Sequence, residues 1–179
     1  MANHKYAIEK LIKKNSVQRF AEIGVYGGST TRYLLRNCPS IEQYFAIDRW
    51  STFIDPHYGR YIFLPQEHWD KKHQQLCQFM LWYSNLHVVK MSSLDFAKRF
   101  ERREQFFDFV YIDSSHFYNN TLNEIQAYLP LIKKGGIIGG HDYGKNVREA
   151  HRGVKIAVDE VFGADSIHRD EDMVWWINV

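Results

Sequence analysis

Cysteine is scarce in this chain: Cys38 and Cys77 are the two thiols among 179 residues. That is too few for a disulfide framework, and they lack a paired ligand spacing. A reducing, cytoplasmic compartment is the expectation. Long apolar runs are missing too, so no stretch approaches the roughly 20 residues needed to span a bilayer. The opening Met1-Ala2-Asn3-His4-Lys5 has no apolar segment of the kind a secretory signal carries. Nor does either sign of charge dominate. Lys and Arg number 23 against 21 Asp and Glu, a formal net charge of +2, which argues against a nucleic-acid partner. The basic pairs Lys13-Lys14, Lys71-Lys72 and Lys98-Arg99 fall in helix-like stretches and read as solvated faces. Repeats, low-complexity tracts and linkers are absent, so residues 1–179 read as one domain.

Hydrophobic residues make up 45% of the chain, enough for an ordinary core. They fall into alternating strand and helix patterns. An amphipathic helix over 4–14 carries Ile8, Leu11 and Ile12 on one face. Strands are expected at 17–23, 43–47, 87–91, 107–112 and 137–140, the last entered through a Gly135-Gly136 turn. Helices are expected at about 29–37, 66–83, 94–103, 119–132 and 148–162. The stretches 166–168 and 173–179 flank a polar turn, Arg169 to Asp172, and read as an antiparallel hairpin. This is an α/β class chain: a Rossmann-like three-layer α/β/α sandwich with a seven-stranded, mostly parallel sheet.

The most informative segment is Ala21-Glu22-Ile23-Gly24-Val25-Tyr26-Gly27-Gly28-Ser29-Thr30. A strand, a glycine turn and a helix in that order cradle a nucleotide-like ligand, or serve as a tight packing turn. Gly24 and Gly28 are expected to supply positive φ or close backbone approach. The dinucleotide fingerprint Gly-x-Gly-x-x-Gly is absent, and Glu22 just before the glycines would repel a pyrophosphate. A cationic ligand suits it better, and S-adenosylmethionine carries both an ammonium and a sulfonium.

Ligands of such sheets bind beyond the carboxyl ends of the strands. Acids stand at or near four of these ends: Glu22, Asp48, Asp113 and Asp142. A strand must leave the core through some polar residue, which accounts for one or two. Four carboxylates along one edge repel unless cations or hydroxyls lie between them. Asp48 is placed to accept from two ribose hydroxyls. Trp50 either stacks on adenine or packs in a core or lid. Ser92 and Ser93 either contact the base edge or cap a helix.

The later segments Val110-Tyr111-Ile112-Asp113-Ser114-Ser115-His116-Phe117-Tyr118 and Gly135-Gly136-Ile137-Ile138-Gly139-Gly140-His141-Asp142-Tyr143 sharpen the reading. With them the chain, from about Val17 to Val158, resembles the class I S-adenosylmethionine-dependent methyltransferases. It is most similar to the branch with Ile-Asp-x-x-His-x-Tyr and Gly-Gly-His-Asp-Tyr motifs, which includes small-molecule and sugar O-methyltransferases. The resemblance implies a cofactor loop of Glu22, Gly24 and Gly28, a ribose contact at Asp48, and Asp113 and Asp142 beside the transferred methyl group, often as metal ligands. It implies His116 as a candidate base. One departure concerns adenine: many relatives place an acid after the third strand, where this chain has Met91-Ser92-Ser93.

The chemistry asks for the same residue types. The cofactor's methyl group is already activated by the sulfonium, whereas an aliphatic hydroxyl attacks poorly until deprotonated. A histidine takes that proton near neutral pH, and a divalent ion between two carboxylates lowers the hydroxyl's pKa. An oxygen-rich site suits Mg2+, while ligation by His141 shifts preference towards Mn2+; His141 otherwise fixes its loop by a hydrogen bond. His68 and His73, five apart on a helix, are expected at the surface. The aromatic stretch 50–69 is the expected seat of acceptor identity, or a loop packing its own rings. The expected partner is a small hydroxyl acceptor, a sugar among the candidates; a homo-oligomer is left open. Two other classes stand beside this reading: a nicotinamide-dependent oxidoreductase, and a non-catalytic scaffold that keeps the fold.

Overall fold

The computed structural model describes residues 4–52, 64–103, 105–144, 152–170 and 172–179. The helix α1 (His4–Lys14) precedes β1 (Arg19–Ile23), α2 (Ser29–Asn37), β2 (Gln43–Asp48), α3 (Gln66–Met80) and β3 (Leu86–Lys90). Then come α4 (Ser93–Phe100), β4 (Phe107–Ile112), α5 (Tyr118–Tyr128), β5 (Ile132–Gly140), α6 (Arg152–Phe162), β6 (His168–Arg169) and β7 (Trp175–Asn178). The seven strands run in the order β3-β2-β1-β4-β5-β7-β6. The first five are parallel, and β7 is antiparallel to both β5 and β6. The chain winds outwards from β1 to β3, then crosses back to lay β4 on the other flank of β1. The crevice of the sheet therefore opens between the carboxyl ends of β1 and β4.

Two apolar layers sandwich the sheet. On one side Ile8, Leu11 and Ile12 of α1, Leu34 of α2 and Leu76 of α3 pack on Phe20, Tyr44 and Phe109. On the other, Phe96 of α4, Ile125 and Tyr128 of α5 and Val154 and Val158 of α6 pack on Ala21, Ile47, Val110 and Ile138. β4 is buried on both faces, as its almost unbroken apolar run demands.

Several boundaries differ from the sequence expectation: β1 begins at Arg19, α3 ends at Met80 and α4 at Phe100, and three further differences have a local reason. α5 ends at Tyr128 because Pro130 has no amide hydrogen to continue it, and Leu129–Leu131 tighten into a 3-10 turn. β5 begins at Ile132, so Gly135-Gly136 interrupt a strand instead of leading into one. Pairing jumps from Phe107↔Ile132 to Phe109↔Ile137, and Gly135 absorbs the irregularity at φ +79°. Arg169 belongs to β6; the turn begins at Asp170, whose carboxylate accepts from the amides of Asp172 and Val174. The aromatic residues Phe53, His57, Tyr58, Tyr61 and Phe63, and the expected helix start at Arg148, lie outside the described residues.

Candidate active site

The loop after β1 is shaped by backbone constraints. Gly24 has φ +87°, and a Cβ there would lie 2.2 Å from the carbonyl oxygen of Asp113, so the loops after β1 and β4 touch backbone to backbone. Gly28, at φ +69°, is the N-cap of α2, with no side chain capping it. Asp48 then fastens the turn: its Oδ2 accepts from the amides of Val25 (2.9 Å) and Tyr26 (2.8 Å), and its Oδ1 from that of Trp50 (2.7 Å). The Trp50 indole donates back to the Tyr26 carbonyl at 2.8 Å. Trp50 is 0% exposed and tilts against His73, so it packs in the core behind the loop instead of facing a base. His68 and His73 are half-buried, not surface residues; His68 stacks on Tyr26.

A cleft of about 1330 Å³ opens over these loops, lined by Glu22, Gly24, Asp48, Asp113 and His116 among others. Glu22, 3% exposed, accepts on a single oxygen, Oε2, from Thr31 Oγ1 (2.5 Å) and Tyr44 OH (2.6 Å). Burial, helped by the charges of Asp113 and Asp48, pushes its pKa up to about 8 against the pull of the two hydroxyls. Among the described residues no cation pairs with it. A carboxyl so placed is poised to ionise when a cation approaches.

Beyond the ends of β4 and β5 the two late motifs converge. His116 Nε2 lies 3.3 Å from Asp113 Oδ1 and 3.0 Å from Asp142 Oδ2, and His141 Nδ1 lies 3.4 Å from Asp142 Oδ1. His116 and Asp142 hold φ of 60° and 63°, strain that non-glycine residues keep only where their surroundings impose it. Burial alone would lower the His116 pKa, but its bond to Asp113 and the charges of Asp113 and Asp142 outweigh it, and the net shift is upward. His141 is likewise raised, its bond to Asp142 and the nearby carboxylates outweighing burial. Both neighbours of His116 Nε2 are acceptors, so that nitrogen carries a proton and donates. Asp113, His141 and Asp142 each offer a ligand atom, all within 4.8 Å of one another. Two carboxylates and an imidazole fit a divalent cation of the Mg2+ or Mn2+ kind. Asp113 and His116 line the cleft, and Asp142 and His141 stand behind them.

Ser92 and Ser93 part company. Ser92 caps α4, accepting from the Asp95 amide, and does not line the cleft. Ser93 does line it, and donates to Glu124 Oε1 at 2.6 Å. Sequence reasoning missed two residues. His4 reaches across from α1, its ring 5.1 Å from that of His141 and its Nε2 3.2 Å from Thr30 Oγ1. Nothing in the sequence signals it. Glu124 did leave a signal, because it interrupts the buried stripe Thr121, Ile125 and Tyr128 of α5.

Residues 21–143 match the family model described as a methyltransferase domain. The chain belongs to that family. A search of curated proteins finds no significant match. Solved structures supply the fold-level comparison. An O-methyltransferase from Bacillus cereus in complex with SAH is 14% identical, with 98% of this chain and 80% of that one covered at a TM-score of 0.68. A TDP-rhamnose 3'-O-methyltransferase of calicheamicin biosynthesis is 15% identical, covering 98% and 78% at 0.67. SAH-bound methyltransferase from Podospora anserina is 11% identical, covering 99% and 79% at 0.66. This methyltransferase thus shares the fold of these three enzymes over nearly its whole length. Among its described residues no helix is long and apolar enough to cross a membrane.

Proposed function

We propose that this methyltransferase moves the methyl group of S-adenosylmethionine to a hydroxyl of a small molecule, a sugar being the favoured class. The observation that carries the reading is the convergence of Asp113, His116, His141 and Asp142 beside the glycine-loop cleft. Two cleft acids, Glu22 and Asp48, suit the donor's cationic methionine part and its ribose. The sugar class draws support from the structural likeness to the TDP-rhamnose 3'-O-methyltransferase.

The chain's own residues do three things. Asp48 holds the glycine loop through the amides of Val25 and Tyr26 and, with the Trp50 amide also bonded, keeps one acceptor site on Oδ1 for a hydroxyl. Asp113 and Asp142 orient the His116 imidazole and raise its proton affinity. His116 then takes the acceptor's proton as the hydroxyl attacks the methyl carbon, through Nδ1, or through Nε2 once the carboxylates turn away. Asp113, Asp142 and His141 would hold a divalent ion, which when bound supplies Lewis acidity to the acceptor oxygen.

The test separates donor binding from methyl movement. His116→Ala should leave the affinity for S-adenosylhomocysteine nearly unchanged and lower kcat by about 10²–10⁴-fold. In the wild type the rate should climb as pH rises through a His116 pKa above 6.5, the ordinary value, and that limb should vanish in the variant. A well-folded His116→Ala enzyme with normal single-turnover rates ends the base assignment.

A further inference from the structure

α5 turns Thr121, Glu124, Ile125 and Tyr128 towards the sheet, and all four are buried. A carboxylate in such a stripe is costly unless its oxygens are bonded. Glu124 is 5% exposed; Oε1 accepts from Ser93 Oγ at 2.6 Å, and Oε2 from Ser114 Oγ at 2.5 Å. Ser93 opens α4 just past β3, and Ser114 follows β4, so a helix delivers this acid to the strand-end crevice. Arg49, after β2, acts on it electrostatically, and Arg49, Ser93, Leu94, Ser114 and Glu124 all line the cleft.

Sheet order fixes what this compartment faces. A donor with its methionine part at the loop after β1 and its ribose at Asp48 after β2 must send its base onward to β3, because the strands run β3-β2-β1. There the cleft is lined by Ser93, Leu94 and Glu124. Adenine offers an exocyclic amine with two N–H donors. Each Glu124 oxygen, having accepted one hydroxyl, retains a lone pair for such a donor. Met91-Ser92-Ser93 contains no acid of its own.

We infer that Glu124, braced by Ser93 and Ser114, is the acceptor for the adenine amine and selects adenine over other purines. The inference rests on the methyl-donor reading above. A role confined to tying loops together would not require a charge. Burial drives the Glu124 carboxyl towards its protonated form despite both serine bonds, so a neutral residue would tie the loops at lower cost.

Calorimetric affinities for S-adenosylhomocysteine and its hypoxanthine analogue, S-inosylhomocysteine, test this on the full chain. The analogue presents a carbonyl where adenine has its amine. The wild type should prefer adenine by about tenfold or more, the worth of one charged hydrogen bond. Glu124→Gln keeps the shape but offers an amide N–H, so the preference should collapse or invert. Ser93→Ala, which removes one brace, should narrow it. Equal wild-type affinities overturn the assignment. So does an unchanged ratio in a Glu124→Gln protein whose melting temperature alone has moved, since that is the signature of a loop tie. A wild type that binds neither nucleoside overturns the methyl-donor reading itself, and this inference with it.

Discussion

Glu22 carries the clearest pH consequence of any single residue. Its folded pKa of about 8 stands above the ordinary carboxyl value of 4.5, so the folded chain keeps a proton that the unfolded chain releases. This contribution is absent below about pH 4.5; from there it erodes stability until about pH 8 and is level beyond. Every tenfold gain in proton affinity on folding corresponds to about 1.4 kcal/mol. Glu22→Gln should fold, because one oxygen already accepts both hydroxyls and an amide oxygen does the same. Its melting temperature should gain on that of the wild type between pH 5 and pH 8.5. His116 has the same sign, its carboxylate pairing lost as pH rises through its raised value, but both proteins carry it and it cancels in the comparison. Parallel melting curves across that range would show that Glu22 is ionised throughout. Legibility in the sequence is uneven among single residues. Asp113, His116, His141 and Asp142 fall within two short motifs and stand out together. The part Asp48 and Trp50 play in locking the glycine loop does not, because it runs through backbone amides, which every residue but proline has.

Among the elements, the glycine turns divide by surroundings more than by torsion. Gly24 and Gly135 share a left-handed φ, +87° and +79°, yet a Cβ at Gly24 strikes the Asp113 carbonyl while one at Gly135 meets nothing within 4 Å. Gly135→Ala should therefore cost only the backbone penalty, roughly 1–2 kcal/mol. Gly24→Ala should cost distinctly more and should weaken donor binding as well, since the loops after β1 and β4 must part. Denaturant unfolding of both variants measures the difference, and equal losses would show that the close approach relaxes freely. Helices and strands are readable from periodicity because burial repeats along them. The continuation of β5 through Lys133-Lys134-Gly135-Gly136 is not, since those residues look like a turn, and the backbone bonds of Gly135 and Gly136 run to Val179, a partner far away in sequence.

On the scale of the whole molecule the sheet separates two tasks. The ends of β1 and β2 carry the acids proposed for the donor's methionine part and ribose, α5 brings Glu124 for its base, and the loops after β4 and β5 carry the residues proposed for chemistry. Chelation should leave S-adenosylhomocysteine binding intact, with its stabilisation of about 2.7 kcal/mol at a hundredfold excess over Kd, while lowering turnover. Undiminished turnover after thorough chelation would remove the metal from the proposal and leave His116 to act alone.

The antiparallel strand β7 stands directly behind that second task. It pairs with the end of β5, Gly140 opposite Trp175, and Met173 accepts from the Tyr143 amide directly behind Asp142. A Cβ at Gly140 would collide with the Trp175 indole, so that ring is the floor on which His141 and Asp142 stand. Whatever loosens β7 therefore reaches the loop of His141 and Asp142 through the backbone, and leaves the turns after β1 and β2 untouched.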